Sequence, residues 1–194
     1  MRKKLTLLIA AILLSLVGFS QEKPKTEVLL LIDIQDFYFP GGKSALVQPI
    51  PAAKNAELIL EKFRKANKPV IHIKHKVESG GNIYYLVKPV EDERVITKTD
   101  VSSFKGTDLE RLLIELNAGK IVICGMQTHM CVEAAVRTAA DKGYEVFLVE
   151  DACATKDLVY NGIKIKAKQV QASTLATLKN YATIVTTKKY LDQK

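Results

Sequence analysis

Three cysteines in 194 residues, no apolar stretch as long as a membrane span, and no aromatic side chains interleaved with the basic ones set the first bounds on this chain. An odd cysteine count leaves at least one thiol free, and the spacings match no disulfide framework. The longest apolar stretch, Leu5 to Phe19, is interrupted by Thr6, Ser15 and Gly18 and is shorter than the roughly 20 residues a spanning helix needs. The formal net charge is +8, yet the excess is scattered over Lys62, Arg64, Lys65 and Lys68 on one helix and Lys164, Lys166 and Lys168 on another. Lysines without neighbouring rings to stack bases read as solvated helix faces, which argues against a nucleic-acid partner.

The N-terminus has the three parts of an export signal: basic Arg2, Lys3 and Lys4, apolar Leu5 to Val17, and a small-residue end at Gly18-Phe-Ser20. Residues 1–20 therefore read as a signal peptide, placing the protein in the periplasm or outside the cell; an uncleaved anchor is the alternative. No cysteine adjoins the cleavage site to carry a lipid, so no membrane association is expected after cleavage. Removal of residues 1–20 leaves 174 residues with a net charge of +5, a polar lead over 21–26 and one domain over 27–194.

Apolar runs alternate with helical patterns along that domain. Val28 to Ile32 reads as a strand buried on both faces with Asp33 at its end, and Gln35 to Gly42 as a loop. Pro51 opens a helix through Ile59, Leu60 and Phe63. Val70 to Ile73 is a second strand ending at Lys74-His75, and Lys76 to Glu93 a long loop. Arg94 to Lys98 is a short extended piece, and Thr107-Asp-Leu-Glu110 a capping box with Glu110 at N3. Ile121 to Cys124 is a strand, followed by a helix that Thr128 or a neighbour caps and whose first turn carries Cys131. Tyr144 to Val149 is another strand, a long helix carries Ile163, Ala167, Val170 and Leu178, and Ala182 to Val185 is the last strand. The alternation predicts an α/β fold: three layers, α/β/α, Rossmann-like and doubly wound around a mainly parallel six-stranded sheet.

In such sheets ligands bind at the C-terminal strand ends. Asp33, Lys98 and the Cys131 turn fall there. A helix N-terminus and a neighbouring ammonium favour a thiolate, while burial raises a carboxylate's proton affinity, so transfer from Cys131 to Asp33 is chemically reasonable. Cys124, in an apolar strand, and Cys153, after another, read as small buried hydrophobes.

Four blocks in order, Leu31 to Gly42, Thr97 to Leu109, Cys124 to Val132 and Val149 to Thr155, resemble the isochorismatase-like cysteine hydrolases, a superfamily that includes nicotinamidases. The resemblance implies an Asp33, Lys98, Cys131 triad and a cis peptide at Met126-Gln127. That bond would turn the Gln127 N–H, with that of Cys131, into an oxyanion hole. It also implies amide hydrolysis through a Cys131 thioester, with Asp33 as base and then acid and Lys98 as electrostatic support. Tyr38 stands where the family places an aromatic pocket residue. His75 and His129 are further candidates for substrate contact, and Asn82, Tyr84 and Tyr85 could reach substrate from the long loop.

Departures from the family narrow the expectation. Nicotinamidases carry an Asp-x-His pair with further histidine after the second strand, whereas this chain has Lys74-His-Lys-Val-Glu78. His72 and His75, three apart on a strand, point to opposite faces. No metal site and no cofactor is expected, and nicotinamide is a weak fit. Members that cleave the vinyl ether of isochorismate generally lack the nucleophilic cysteine, so Cys131 favours a small-molecule amide substrate. A vinyl-ether hydrolase, a noncatalytic ligand-binding protein and a redox-active thiol protein of the same fold are the alternatives. Relatives are often dimers or tetramers, which implies a homo-oligomer.

Overall fold

A computed structural model describes residues 24–193. Residues 1–20, read as a signal peptide, and the first half of the polar lead, 21–23, lie outside the described residues. Six strands form a parallel sheet in the order β3-β2-β1-β4-β5-β8: β1 Thr26–Ile32, β2 Val70–His75, β3 Arg94–Lys98, β4 Ala118–Met126, β5 Glu145–Ala154 and β8 Thr183–Val185. Thr26 belongs to β1 rather than to the lead, because its N–H donates to the Asn117 carbonyl at 2.8 Å. From β1 the chain winds outward through β2 and β3, then returns to the other flank of β1 with β4. That reversal places the topological switch point between β1 and β4, where the strands' carboxyl ends part into a crevice.

Near-continuous apolar runs in β1, β4 and β5 follow from burial on both faces. On one face Leu29, Leu31, Val122 and Val149 pack with Ala52, Ala56, Ile59, Leu60 and Phe63 of helix α1, Pro49–Lys65. On the other, Leu30, Ile32, Ile121, Ile123 and Leu148 meet α2 (Leu109–Glu115), α3 (Glu133–Asp141) and α4 (Ala167–Leu178). A short C-terminal helix, α5 (Thr187–Leu191), returns to α1, where Lys62 Nζ donates to the carbonyls of Tyr190 and Leu191. The three-layer α/β/α arrangement is the one expected from the sequence. β1 and β4 approach closely at Gly125, where a Cβ would overlap the Ile32 carbonyl oxygen and φ is +147°.

Several local expectations give way to tertiary context. Helix α1 starts at Pro49 rather than Pro51, with Gln48 in the left-handed region before it. No capping box forms at α2: the N-cap is Asp108, the Thr107 hydroxyl accepts from the Leu109 N–H at 3.3 Å, and Glu110 pairs with Lys142 of the next helix at 2.7 Å. Ile163 and Lys164 lie not on a helix but on an antiparallel hairpin of β6 (Leu158–Tyr160) and β7 (Ile163–Ile165). Asn161 and Gly162 both have positive φ, 48° and 77°, the geometry of a two-residue hairpin turn that Asn-Gly favours.

Candidate active site

The carboxyl ends of β1, β3 and β4 deliver three reactive side chains to one point. Asp33 follows β1 with φ 50°, a left-handed conformation that aspartate tolerates better than most residues, and its N–H donates to the Ile73 carbonyl at 3.0 Å. Lys98 ends β3, two strands away, and pairs in register with His75 of β2. Its long stem runs inward past that histidine. Nζ reaches Asp33 Oδ2 at 2.7 Å and Cys131 Sγ at 3.3 Å. Asp33, Lys98 and Cys131 are 0, 1 and 6% exposed, so this is a dry cluster in which charge interactions are barely screened.

Lys98 Nζ also contacts the Asp100 carbonyl and His75 Nδ1, each at 3.1 Å. Four acceptors thus surround an ammonium with three hydrogens. His72, by contrast, turns to Glu93 Oε2 at 2.9 Å, and Arg64 grips both Glu93 oxygens at 2.7 Å. The two histidines therefore serve different clusters. Among the described residues no group of three or more His, Cys, Asp or Glu side chains is placed to hold a metal.

Cys131 does not sit in the first turn of an ordinary α-helix. It lies in a π-helical turn, Thr128–Val132, that precedes α3, and no side chain caps it. Among the described residues the buried Thr128 hydroxyl has no partner, so it does not cap. Burial pushes the Cys131 thiol up to about 11, reinforced by the Asp33 charge and only partly opposed by Lys98. The free thiol is therefore protonated at neutral pH: Lys98 favours the thiolate, as expected, but burial outweighs it. Burial likewise raises Asp33, with Lys98 opposing. Both shifts have one cause: a dry site penalises every anion in it.

The Met126-Gln127 peptide is cis. Among the described residues the Gln127 N–H has no acceptor, while the Gln127 carbonyl accepts from the N–H groups of Met130 at 3.0 Å and Val132 at 3.3 Å. The side chain of Gln127 reaches away to Tyr38, its Nε2 donating to the phenol oxygen at 3.2 Å. His129 is half-buried, with Nδ1 2.6 Å from the Thr155 hydroxyl; burial and Lys156 hold its pKa below the usual histidine value.

Gln35 organises the site without having been singled out in the sequence, and Gln127, singled out there for its backbone N–H, adds a side-chain contact. Gln35 is buried and clamps the long loop: Nε2 donates to the His75 and Gly81 carbonyls at 3.0 and 2.8 Å, and Oε1 accepts from the His75 N–H at 2.7 Å. Position directly after Asp33-Ile34 was its only sequence signal. Of the loop candidates, Tyr84 stacks on Phe39 with centroids 3.4 Å apart, Tyr85 is 69% exposed, and Asn82 uses its carbonyl to hold the Asp36 N–H. A cleft of about 760 Å³ lies between α1, the end of β5 and α4 and is lined by none of the three.

Comparison with known proteins agrees with this architecture. The isochorismatase domain model matches residues 27–189. The isochorismatase family protein YddQ of Bacillus subtilis is 42% identical over 178 residues, spanning 86% of this chain and 99% of its own length. Streptothricin hydrolase of Streptomyces noursei is 30% identical over 141 residues, 68% of this chain and 56% of that protein. The crystal structure of an isochorismatase from Pseudomonas putida has a TM-score of 0.81 at 32% identity, covering 90% of this chain and 96% of that one. With its parallel sheet, its strand-end cluster and these matches, the chain belongs to the isochorismatase family of hydrolases.

Proposed function

We propose that this protein is a cysteine amidohydrolase acting on the C–N bond of a small molecule. The observation that carries the reading is a buried ammonium, Lys98 Nζ, within 2.7 Å of a carboxylate and 3.3 Å of a thiol. Asp33 takes the Cys131 proton as Sγ attacks the amide carbonyl, and Lys98 stabilises whichever partner is anionic. The N–H groups of Gln127 and Cys131 receive the oxyanion. Asp33 then returns the proton to nitrogen, the C–N bond breaks and the amine leaves. A water that Asp33 deprotonates hydrolyses the thioester and restores the thiol.

Burial matters to the energetics of the first step. From a thiol at about 11 to an ordinary carboxylate near 3.9, transfer would cost about 10 kcal/mol. Raising Asp33 narrows that gap, and attack on the carbonyl removes the thiolate as it forms. The name of the related streptothricin hydrolase supports a small-molecule substrate. The pattern of residues 1–20 supports export. The exposed Tyr160 and Ile163, cross-strand partners on the hairpin, 70 and 65% accessible, support a homo-oligomer, since exposed apolar patches mark contact surfaces.

The test is a panel of small amides read by ammonia release and by the intact mass of a Cys131 acyl adduct. Turnover and adduct are expected for the wild type and neither for Cys131→Ala. A broad panel that leaves Cys131 unacylated, with thiol-reactive probes also excluded, defeats the reading.

A further inference from the structure

The hairpin of β6 and β7 carries most of its apolar side chains on one face. Leu158 pairs with Ile165 and Tyr160 with Ile163, and because side chains alternate across a strand, these four share one side while Val159 and Lys164 share the other. Leu158 and Ile165 are half-buried at the base, whereas Tyr160 and Ile163 are exposed at the tip. A two-stranded hairpin on its own is marginally stable in water, so one that holds an apolar tip away from its domain needs a surface to lie on. Its base is already fixed. Asp157 Oδ1 accepts from the Ala167 N–H at 2.8 Å, and Oδ2 lies 3.3 and 3.4 Å from the ammonium groups of Lys164 and Lys166. The arm is anchored where it leaves the domain and uncovered where it ends.

A surface of matching character adjoins that base. Thr155 and Ala167, which flank the arm in the chain, both line the cleft of about 760 Å³ between α1, the end of β5 and α4. Val47, Pro51, Ala52, Ala154, Ala172 and Leu175 give the cleft apolar walls, and Glu150 and Asp151 outnumber Lys168 among its charged residues. The arm, residues 156–166, has the opposite balance: Lys156, Lys164 and Lys166 against Asp157. Because Tyr160 and Ile163 are exposed, the tip does not fill the cleft of its own chain. We propose that the cleft receives the hairpin tip of a second copy of this chain, with Tyr160 and Ile163 among its apolar residues and the arm's lysines set against Glu150 and Asp151. Since arm and cleft adjoin, one two-fold axis beside the hairpin lets each copy fill the other's cleft, which closes this contact at two copies. The inference rests on the homo-oligomer reading and adds to it the seat that the hairpin takes.

The experiment uses the full chain and two variants. In the first, the photoreactive residue p-benzoylphenylalanine replaces Tyr160; irradiation should give a covalent species of twice the chain mass, with position 160 joined to peptides covering residues 47–55, 150–155 or 167–175. The second, Ala172→Arg, puts a bulky cation into the cleft. Ala172 is exposed on α4 and arginine is a good helix former, so the fold should survive, which thermal unfolding checks. By light scattering over a dilution series, Ala172→Arg is expected to raise the dimer dissociation constant at least about 30-fold, as loss of a central contact does. Should Ala172→Arg fail to fold, the cross-link decides. Joining of position 160 to the partner's residues 157–166 would mean that hairpin packs on hairpin, and overturns the cleft as the seat. So does a constant within about threefold of wild type for folded Ala172→Arg, and so does an oligomeric protein that yields no two-chain product. A wild type that scatters as a single chain at every concentration defeats the homo-oligomer reading together with the proposal.

Discussion

Replacing Lys98 with methionine keeps the stem and removes the charge that Asp33 faces at 2.7 Å. Asp33 is fully buried, so its carboxylate would stand in a dry site without a counter-ion and would take up a proton instead. Holding a carboxyl neutral at pH 7, when the unfolded chain ionises it near 3.9, costs at most about 4 kcal/mol; at pH 5 the same state costs about 1.5 kcal/mol. The folded variant binds the extra proton, so its stability deficit grows as pH rises above 4 and shrinks on acidification. Typical domains have about 5–15 kcal/mol of stability, so Lys98→Met should still fold. Because burial already raises Asp33 in the wild type, Tm for a domain of this size falls below wild type by at most about 8–16 °C at pH 7 and about 3–6 °C at pH 5. Urea unfolding of both proteins at pH 5, 6, 7 and 8 measures this directly. A deficit independent of pH would mean that Asp33 is not the group left unpaired, and would refute the electrostatic account of the cluster.

Other perturbations probe separate parts of the molecule. Alkylation of free-enzyme Cys131 by iodoacetamide should keep accelerating up to about pH 11, because burial raises that thiol; a plateau near pH 8 would contradict it. Glu93 is held at about 2, where burial is outweighed by Arg64, the Val90 N–H and His72, so it adds stability above its usual 4.5 that disappears as pH falls toward 2. Glu93→Gln should cost about 1–2 kcal/mol at pH 7 and nothing near pH 2, after allowance for solvent screening. Light scattering should give the wild type a multiple of the 21.5 kDa chain mass, or of its processed mass, and Tyr160→Asp a single chain. An unchanged mass for Tyr160→Asp would remove the hairpin from the contact.

Five strands of the main sheet were legible as short apolar runs and the sixth, ending in Lys98, as a short extended piece, with Asp33 directly after the first. Cys131 was legible from its position just after an apolar strand and at the start of a helical pattern. What escaped was carried by neutral polar side chains acting across long sequence separations. Gln35 reaches a carbonyl 46 residues away and Gln127 a phenol 89 residues away, and neither has a spacing that marks it. Ile163 fitted the apolar rhythm of the following helix, and the Asn161-Gly162 turn that separates it was the overlooked local signal. Glu110 had the pattern of a capping residue, but Lys142 from another helix offered it a charged partner. The thiol's upward shift needed knowledge of burial, which no spacing conveys.

The shielding of Cys131 also bears on how long the protein lasts. Peroxides and disulfides react with thiolates, and at neutral pH a thiol near 11 is almost wholly protonated as well as 94% shielded from solvent. Cys124 and Cys153 are free, buried and also raised, so none of the three offers an oxidant an easy start. Cys124 packs on the sheet face opposite Cys131. On the proposed reading, a nucleophile that becomes an anion only when substrate arrives is in effect stored in its unreactive form, which would suit free thiols to service outside the cell.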